Sequence, residues 1–209
     1  MFKRIPAFLS TILAVAILMA CACGAAAEAT EPTLADWAGT WNSAESYLSD
    51  EAVQQALAGA AEGMGMKPEE VQAMYAAMMG ADGTGSFVID GDTITAYSLQ
   101  NGEGDVLFTA SFTYAGTETV EGEMDGVSFT MDWYKFTLRG DGPEDYAFLA
   151  LSAAHSDTED SMVHFHYRYG GESFEALTDM SKNWYPTMCE NTVTAQELAE
   201  ELLEEGQQD

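Results

Sequence analysis

The chain's three histidines are the residues whose type and spacing most clearly suggest a chemistry. They are His155, His164 and His166, all within one short stretch of the 209 residues. His164 and His166 flank Phe165 in a strand-like run, and alternate residues of a strand point to the same face. We therefore expect the two imidazoles to lie side by side, with Phe165 on the opposite face.

A hairpin would bring the third histidine to the same place. If Tyr146–His155 and Met162–Tyr169 pair with residues 159 and 160 as a two-residue turn, His155 lies directly opposite His164. Directly opposed residues share a face, with Cβ atoms about 5 Å apart. The pattern thus predicts that His155, His164 and His166 converge on one point.

Three convergent imidazoles are typical of a site for zinc or a similar borderline metal. They leave one position of a tetrahedron for water, a carboxylate or another ligand. The candidate ions are Zn²⁺, Cd²⁺ and Ni²⁺. The acidic residues Asp157, Glu159 and Asp160 would raise the local cation concentration. Arg168 lies on the same strand face as His164 and His166 and is expected to pair with a carboxylate. The alternative is a surface hairpin whose three histidines hold no ion.

The charge balance favours cations as partners. The sequence has 35 acidic and 7 basic residues, a formal net charge of −28. Nucleic-acid binding needs a cationic surface that displaces phosphate counterions, so this class of function is excluded. Electrostatic docking on an anionic membrane is disfavoured for the same reason.

The N-terminal residues have the layout of a secretory signal. Lys3 and Arg4 precede an apolar run, and the junction Leu18-Met19-Ala20-Cys21 resembles the lipobox of bacterial lipoproteins. We interpret residues 1–20 as a lipoprotein signal peptide, Cys21 as the lipidated residue, 21–32 as a flexible tether and 33–209 as the metal-binding domain. The protein would then be extracytoplasmic and lipid-anchored to the bacterial cell membrane. The alternative is a secreted protein whose Cys21 is removed.

The body of the chain reads as two helices followed by a run of short strands. Helical spacing covers Asp50 to Glu62, a second helix starts at Pro68, and a capping-box signature starts a last helix at Thr194. The predicted strands are Ser86–Ile89, Thr93–Tyr97, Val106–Tyr114, Thr117–Glu123, Ser128–Leu138, Tyr146–His155 and Met162–Tyr169. Short strands joined by Asp-Gly and Asn-Gly turns predict an antiparallel meander closed into a barrel or half-barrel.

Several segments resemble the ZinT (YodA) family of zinc-binding proteins. The similarity extends from about Leu34 to about Leu203. The matching segments are Leu34–Trp41, Tyr47-Leu48, Pro68–Val71, His155, His164–His166 and the run Asn183-Trp184-Tyr185-Pro186. The resemblance implies a mainly β, calycin/lipocalin-like antiparallel barrel with added helices, and the three histidines as ligands of zinc or cadmium. It also implies a non-enzymatic role in zinc capture, with delivery towards an ABC importer.

Two other functions stay open from the sequence. Three histidines with an open fourth position are also the arrangement of a zinc hydrolase or hydratase, in which bound water is acidified. Such an enzyme needs a general base and a shaped substrate pocket, and the sequence identifies neither. A calycin-like carrier of an apolar small molecule is the other alternative.

Overall fold

Eight antiparallel strands form a closed barrel in which each strand pairs with its sequence neighbour and the last pairs with the first. The computed structural model describes residues 31–80, 83–124, 127–156, 161–182 and 184–205. The strands are β1 Gly39–Ser43, β2 Ser86–Asp90, β3 Thr93–Tyr97, β4 Val106–Met124, β5 Val127–Arg139, β6 Phe148–Leu151, β7 His164–Gly170 and β8 Thr187–Glu190. The helices are α1 Glu51–Met64, α2 Pro68–Met79, α3 Phe174–Thr178 and α4 Ala195–Glu205. The predicted mainly β barrel with added helices is confirmed.

The strand boundaries differ from the prediction in three places. Val106–Tyr114 and Thr117–Glu123 belong to one strand, β4, whose pairing with β5 shifts by one residue between Tyr114 and Gly116. The predicted strand Tyr146–His155 is reduced to β6, four residues long. The closing strands β1 and β8, which pair through Trp41–Ser43 and Met188–Glu190, have no counterpart in the prediction.

Alternate residues of all eight strands fill the barrel interior with apolar side chains. Phe165 and Tyr167 of β7 are fully buried there. The Phe165 ring packs edge-on against Trp41, with ring centroids 4.8 Å apart. Because successive strand residues alternate between faces, this packing directs His164 and His166 to the outer face of β7.

The helices cover that outer face. Side chains of α1, α2 and α4 form a second apolar cluster that includes Tyr185 and Cys189. α4 begins as predicted, since the Glu197 carboxylate accepts hydrogen bonds from the Thr194 main-chain N–H and hydroxyl, each at 2.8 Å. Tyr185 donates its main-chain N–H to the carbonyl of Met78 at 2.7 Å, which ties the segment before β8 to the end of α2.

Several sequence predictions lie outside the described residues. These are the signal peptide, Cys21, the acidic group at 157, 159 and 160, and the predicted turn at 159 and 160. Among the helices of the described ranges, none combines the length and the apolar character needed to cross a bilayer.

Candidate metal centre

The three histidines meet where the segment after β6 passes the start of β7. His155 and His164 form an antiparallel bridge in which each main-chain N–H donates to the other's carbonyl at 2.9 Å. His166 lies two residues further along β7 on the same face. The predicted opposition of His155 and His164 is therefore present.

The strand leading to His155 is not the continuous one predicted. Leu151 of β6 pairs with Tyr167 of β7, and His155 pairs with His164. Between these two pairs the chain advances four residues on the β6 side but only three on β7, so the segment after β6 contains one extra residue. This extra residue has a physical reason. A continuous strand in the predicted register would set Leu151 opposite Arg168, which points away from the barrel interior. In the observed register, Leu151 and Tyr167 lie together inside the barrel. The extra residue then places His155 on the outer face of β7, beside His164 and His166.

The imidazoles are close enough to share one ion. Ring centroids are 4.4 Å apart for His155 and His164, 5.2 Å for His164 and His166, and 5.8 Å for His155 and His166. One ring nitrogen from each lies within 4.8 Å of the other two. Three nitrogens bound about 2 Å from a tetrahedral ion are about 3.3 Å apart. Small side-chain movements would complete such a site.

Hydrogen bonds set the tautomers of His155 and His164. Nδ1 of His155 is 2.9 Å from the carbonyl oxygen of Ala153, and Nδ1 of His164 is 3.3 Å from that of Met162. A carbonyl oxygen only accepts, so both Nδ1 atoms carry the proton. The coordinating lone pair of each ring is then on Nε2, as in metal sites whose ligands are oriented by a second hydrogen bond.

His166 is oriented through a threonine. Its Nδ1 lies 3.0 Å from Oγ1 of Thr187, the residue directly opposite on β8. The Thr187 hydroxyl donates its own proton to the carbonyl of Tyr185 at 2.9 Å. The hydroxyl oxygen therefore accepts from Nδ1 of His166, which again leaves the lone pair on Nε2.

Burial keeps His166 neutral. His164 and His166 are 4% and 6% exposed, whereas His155 is partly exposed and forms the solvent side of the cluster. The pKa of His166 lies well below its usual range. Burial is the largest cause, and the charges of His164, His155 and Arg168 lower the pKa further. Since only neutral imidazole binds a metal, the competent form of this residue predominates at neutral pH.

No carboxylate of the described ranges forms an ion pair with Arg168, in contrast to the prediction. Its guanidinium is fully buried and donates to the main-chain carbonyls of four residues: Leu177, Asp179, Lys182 and Trp184. The prediction was wrong because carbonyls at the end of α3 and in the segment after it surround the arginine. No sequence signal marked those carbonyls.

Cys189 lies opposite His164 on β8 but outside the ligand cluster. Burial raises the pKa of its thiol to about 12, so the thiolate that metals bind is strongly disfavoured. The residue packs instead as a small apolar side chain among the helices.

Thr187 and Tyr185, which orient His166, were not found from the sequence, because only the register of β8 brings them to this site.

Comparisons with known proteins agree with this architecture. The family model described as "ZinT (YodA) periplasmic lipocalin-like zinc-recruitment" matches residues 23–205. The chain is 28% identical over 172 residues to the probable metal-binding protein YrpE of Bacillus subtilis (strain 168). That match covers 81% of this chain and 63% of the relative, so the chain spans less than two thirds of the relative's length.

Two solved structures share the fold. The Zn(II)-bound ZinT-like domain of Streptococcus pneumoniae AdcA superposes with a TM-score of 0.58 at 24% identity, covering 83% of this chain and 91% of that domain. Zn(II)-bound AdcA from the same organism gives a TM-score of 0.60 at 24% identity, covering 82% of this chain and 35% of AdcA. With a family model that matches nearly the whole described chain, the protein belongs to the ZinT (YodA) family of lipocalin-like zinc-recruitment proteins.

Proposed function

We propose that the protein captures Zn²⁺ outside the cytoplasm and that His155, His164 and His166 are the ligands. The observation that carries the proposal is the convergence of three ring nitrogens within 4.8 Å on hydrogen-bonded, oriented imidazoles. Neutral imidazole suits zinc and its borderline neighbours, whereas Mg²⁺ and Ca²⁺ prefer oxygen ligands. The family's description as zinc-recruitment proteins supports the same ion.

The form of the site supports capture and transfer. Three protein ligands leave one position of the ion open, unlike a structural zinc site, in which four protein ligands close the coordination sphere. His155 is partly exposed, so the ion would be reached from that side. A recipient could displace a water from the open position and then remove the ion. We propose an ABC importer system as that recipient, because recruitment implies a next carrier.

Native mass spectrometry tests this function. Protein expressed in zinc-supplemented medium and purified without chelators is expected to carry one Zn²⁺ per chain, retained in excess Mg²⁺ and Ca²⁺ and removed by a strong chelator. An apolar small molecule in place of zinc would favour the carrier alternative. Zinc-dependent turnover of an ester or of CO₂ would favour the hydrolase or hydratase.

We further propose that Cys21 anchors the mature protein through acyl chains. The support is the lipobox-like Leu18-Met19-Ala20 before it and the family's periplasmic location. We expect Cys21→Ser to shift the protein from the membrane fraction to the soluble extracytoplasmic fraction, since two acyl chains bury many methylenes in the bilayer. The matched control is Cys23→Ser, which should stay in the membrane fraction. An unchanged distribution of Cys21→Ser on fractionation would show that the anchor is elsewhere.

A further inference from the structure

The outer face of β7 continues from the histidines to a buried arginine. The Arg168 guanidinium lies over the Trp133 ring at 5.2 Å and over the Tyr185 ring at 4.8 Å. The Tyr185 ring in turn meets the His166 ring edge-on, with centroids 5.8 Å apart. Arg168 is therefore linked to His166 through the ring of Tyr185.

The same arginine holds the main chain that orients His166. Its Nη1 donates to the carbonyls of Leu177 and Asp179 at 2.7 and 2.9 Å, while Nη2 donates to Lys182 at 3.2 Å and Nε to Trp184 at 3.0 Å. A guanidinium has five N–H donors in a fixed fork, so it can bind several carbonyls at once. The carbonyl of Trp184 belongs to the residue directly before Tyr185.

Tyr185 and Thr187 complete the connection. The Tyr185 carbonyl accepts from the Thr187 hydroxyl, whose oxygen accepts from Nδ1 of His166. A displacement of the Tyr185 main chain would therefore be transmitted to the proton position on His166. Burying a charged group in this place is costly. The main-chain carbonyls, the rings of Trp133 and Tyr185, a hydrogen bond with the Tyr185 side chain and the charge of Asp179 offset that cost.

We propose that Arg168 is a positioning residue of the metal centre. By fixing the segment that precedes β8, it keeps the Tyr185 carbonyl and Thr187 hydroxyl aligned, and so keeps the lone pair of His166 on Nε2. The ligand role of His166 belongs to the proposed function, on which this inference rests. Outer hydrogen-bond partners of metal ligands typically contribute 10- to 100-fold to metal affinity.

The first test needs no metal. In the apo protein, ¹⁵N chemical shifts of the imidazole report which nitrogen of His166 carries the proton. The wild type is expected to show the Nδ1–H tautomer, and Arg168→Lys a mixture with Nε2–H, because lysine cannot reproduce the fork. Thr187→Val should show the same mixture, and Arg139→Lys, a change at an exposed arginine of β5, should match the wild type. A wild-type tautomer in folded Arg168→Lys would overturn the proposal.

The second test is a double-mutant cycle on Zn²⁺ affinity, measured by competition with a chromogenic chelator. Arg168→Lys and Thr187→Val are each expected to weaken binding about 10-fold. If both act through one route, the double variant is also about 10-fold weaker rather than about 100-fold. Multiplied effects, or wild-type affinity in Arg168→Lys, would overturn the proposal.

Circular dichroism confirms folding before either measurement is interpreted. If Arg168→Lys does not fold, Arg168→Gln replaces it in both tests, because the neutral amide leaves no charge to bury and cannot bind the four carbonyls that the guanidinium holds. It is expected to weaken Zn²⁺ binding about 10-fold, and wild-type affinity and tautomer would contradict the proposal. Failure of the wild type itself to bind Zn²⁺ would refute the proposed function, while the tautomer measurement would still decide the role of Arg168.

Discussion

His155→Ala is expected to bind Zn²⁺ more than about 100-fold more weakly than the wild type, with little loss of stability. Structural zinc sites with four ligands bind with about 10–16 kcal/mol, so one ligand contributes roughly 3 kcal/mol, or more than 100-fold. His155 is partly exposed and lies beyond the end of β6, so truncating its side chain removes little packing. A competition titration against a chelator of known affinity measures the change.

The control for this experiment removes a charge without touching the site. Glu121→Gln changes an exposed acidic residue of β4 and should leave Zn²⁺ affinity unchanged, although it reduces the net negative charge by one. Equal weakening in both variants would mean that the acidic surface attracts the ion nonspecifically. Retention of tight binding by His155→Ala would remove His155 from the ligand set.

The barrel could be predicted because most of its strands carry local signals. Asp90 and Thr93 pair across the predicted tight turn between β2 and β3, where Gly91 adopts a φ of 58°. β1 and β8 carry no such signal, since they are short and join to each other across more than half of the chain. Closing a barrel depends on pairings between distant segments, which alternation and turn residues do not encode.

The sequence was sufficient to predict which side chains form the site and that His155 pairs with His164. Three clustered histidines and a strand period of two were sufficient to bring His155 opposite His164. The extra residue before His155 was not predictable, because the register of β6 is set by the packing of Leu151 and Tyr167 inside the barrel. An exchange of Phe165 and His166 would place an imidazole in that interior against Trp41. Loss of folding would then obscure the effect on metal binding.

The residues that orient the ligands could not be predicted from the sequence. Thr187 reaches His166 only because β8 pairs with β7 in one register, His166 opposite Thr187. The sequence predicts a carboxylate partner for Arg168 because arginine commonly pairs with carboxylates. A ring of main-chain carbonyls is an equally satisfactory solution that depends on the path of the chain after α3, where composition gives no indication.

The apo protein is expected to lose stability as the pH falls below about 6.5, and His166 should account for one proton of this dependence. Its pKa in the folded state is well below the usual value of about 6.5 that it recovers on unfolding. Between these two pKa values the unfolded state binds a proton that the folded state does not. The free energy of unfolding therefore decreases with falling pH, by about 1.4 kcal/mol per pH unit. Above pH 6.5 both states are neutral at this residue and the contribution vanishes.

Chemical denaturation in the presence of a chelator, at pH 7.5 and 5.5, measures this contribution when the wild type is compared with His166→Ala. Carboxylates and the other histidines affect both proteins, so their contributions cancel in the comparison to a first approximation. The wild type should lose more stability than the variant over this interval, even if the variant is less stable at both pH values. Equal losses would mean that His166 takes up its proton at the same pH in the folded and the unfolded protein. That result would contradict its burial as a neutral imidazole.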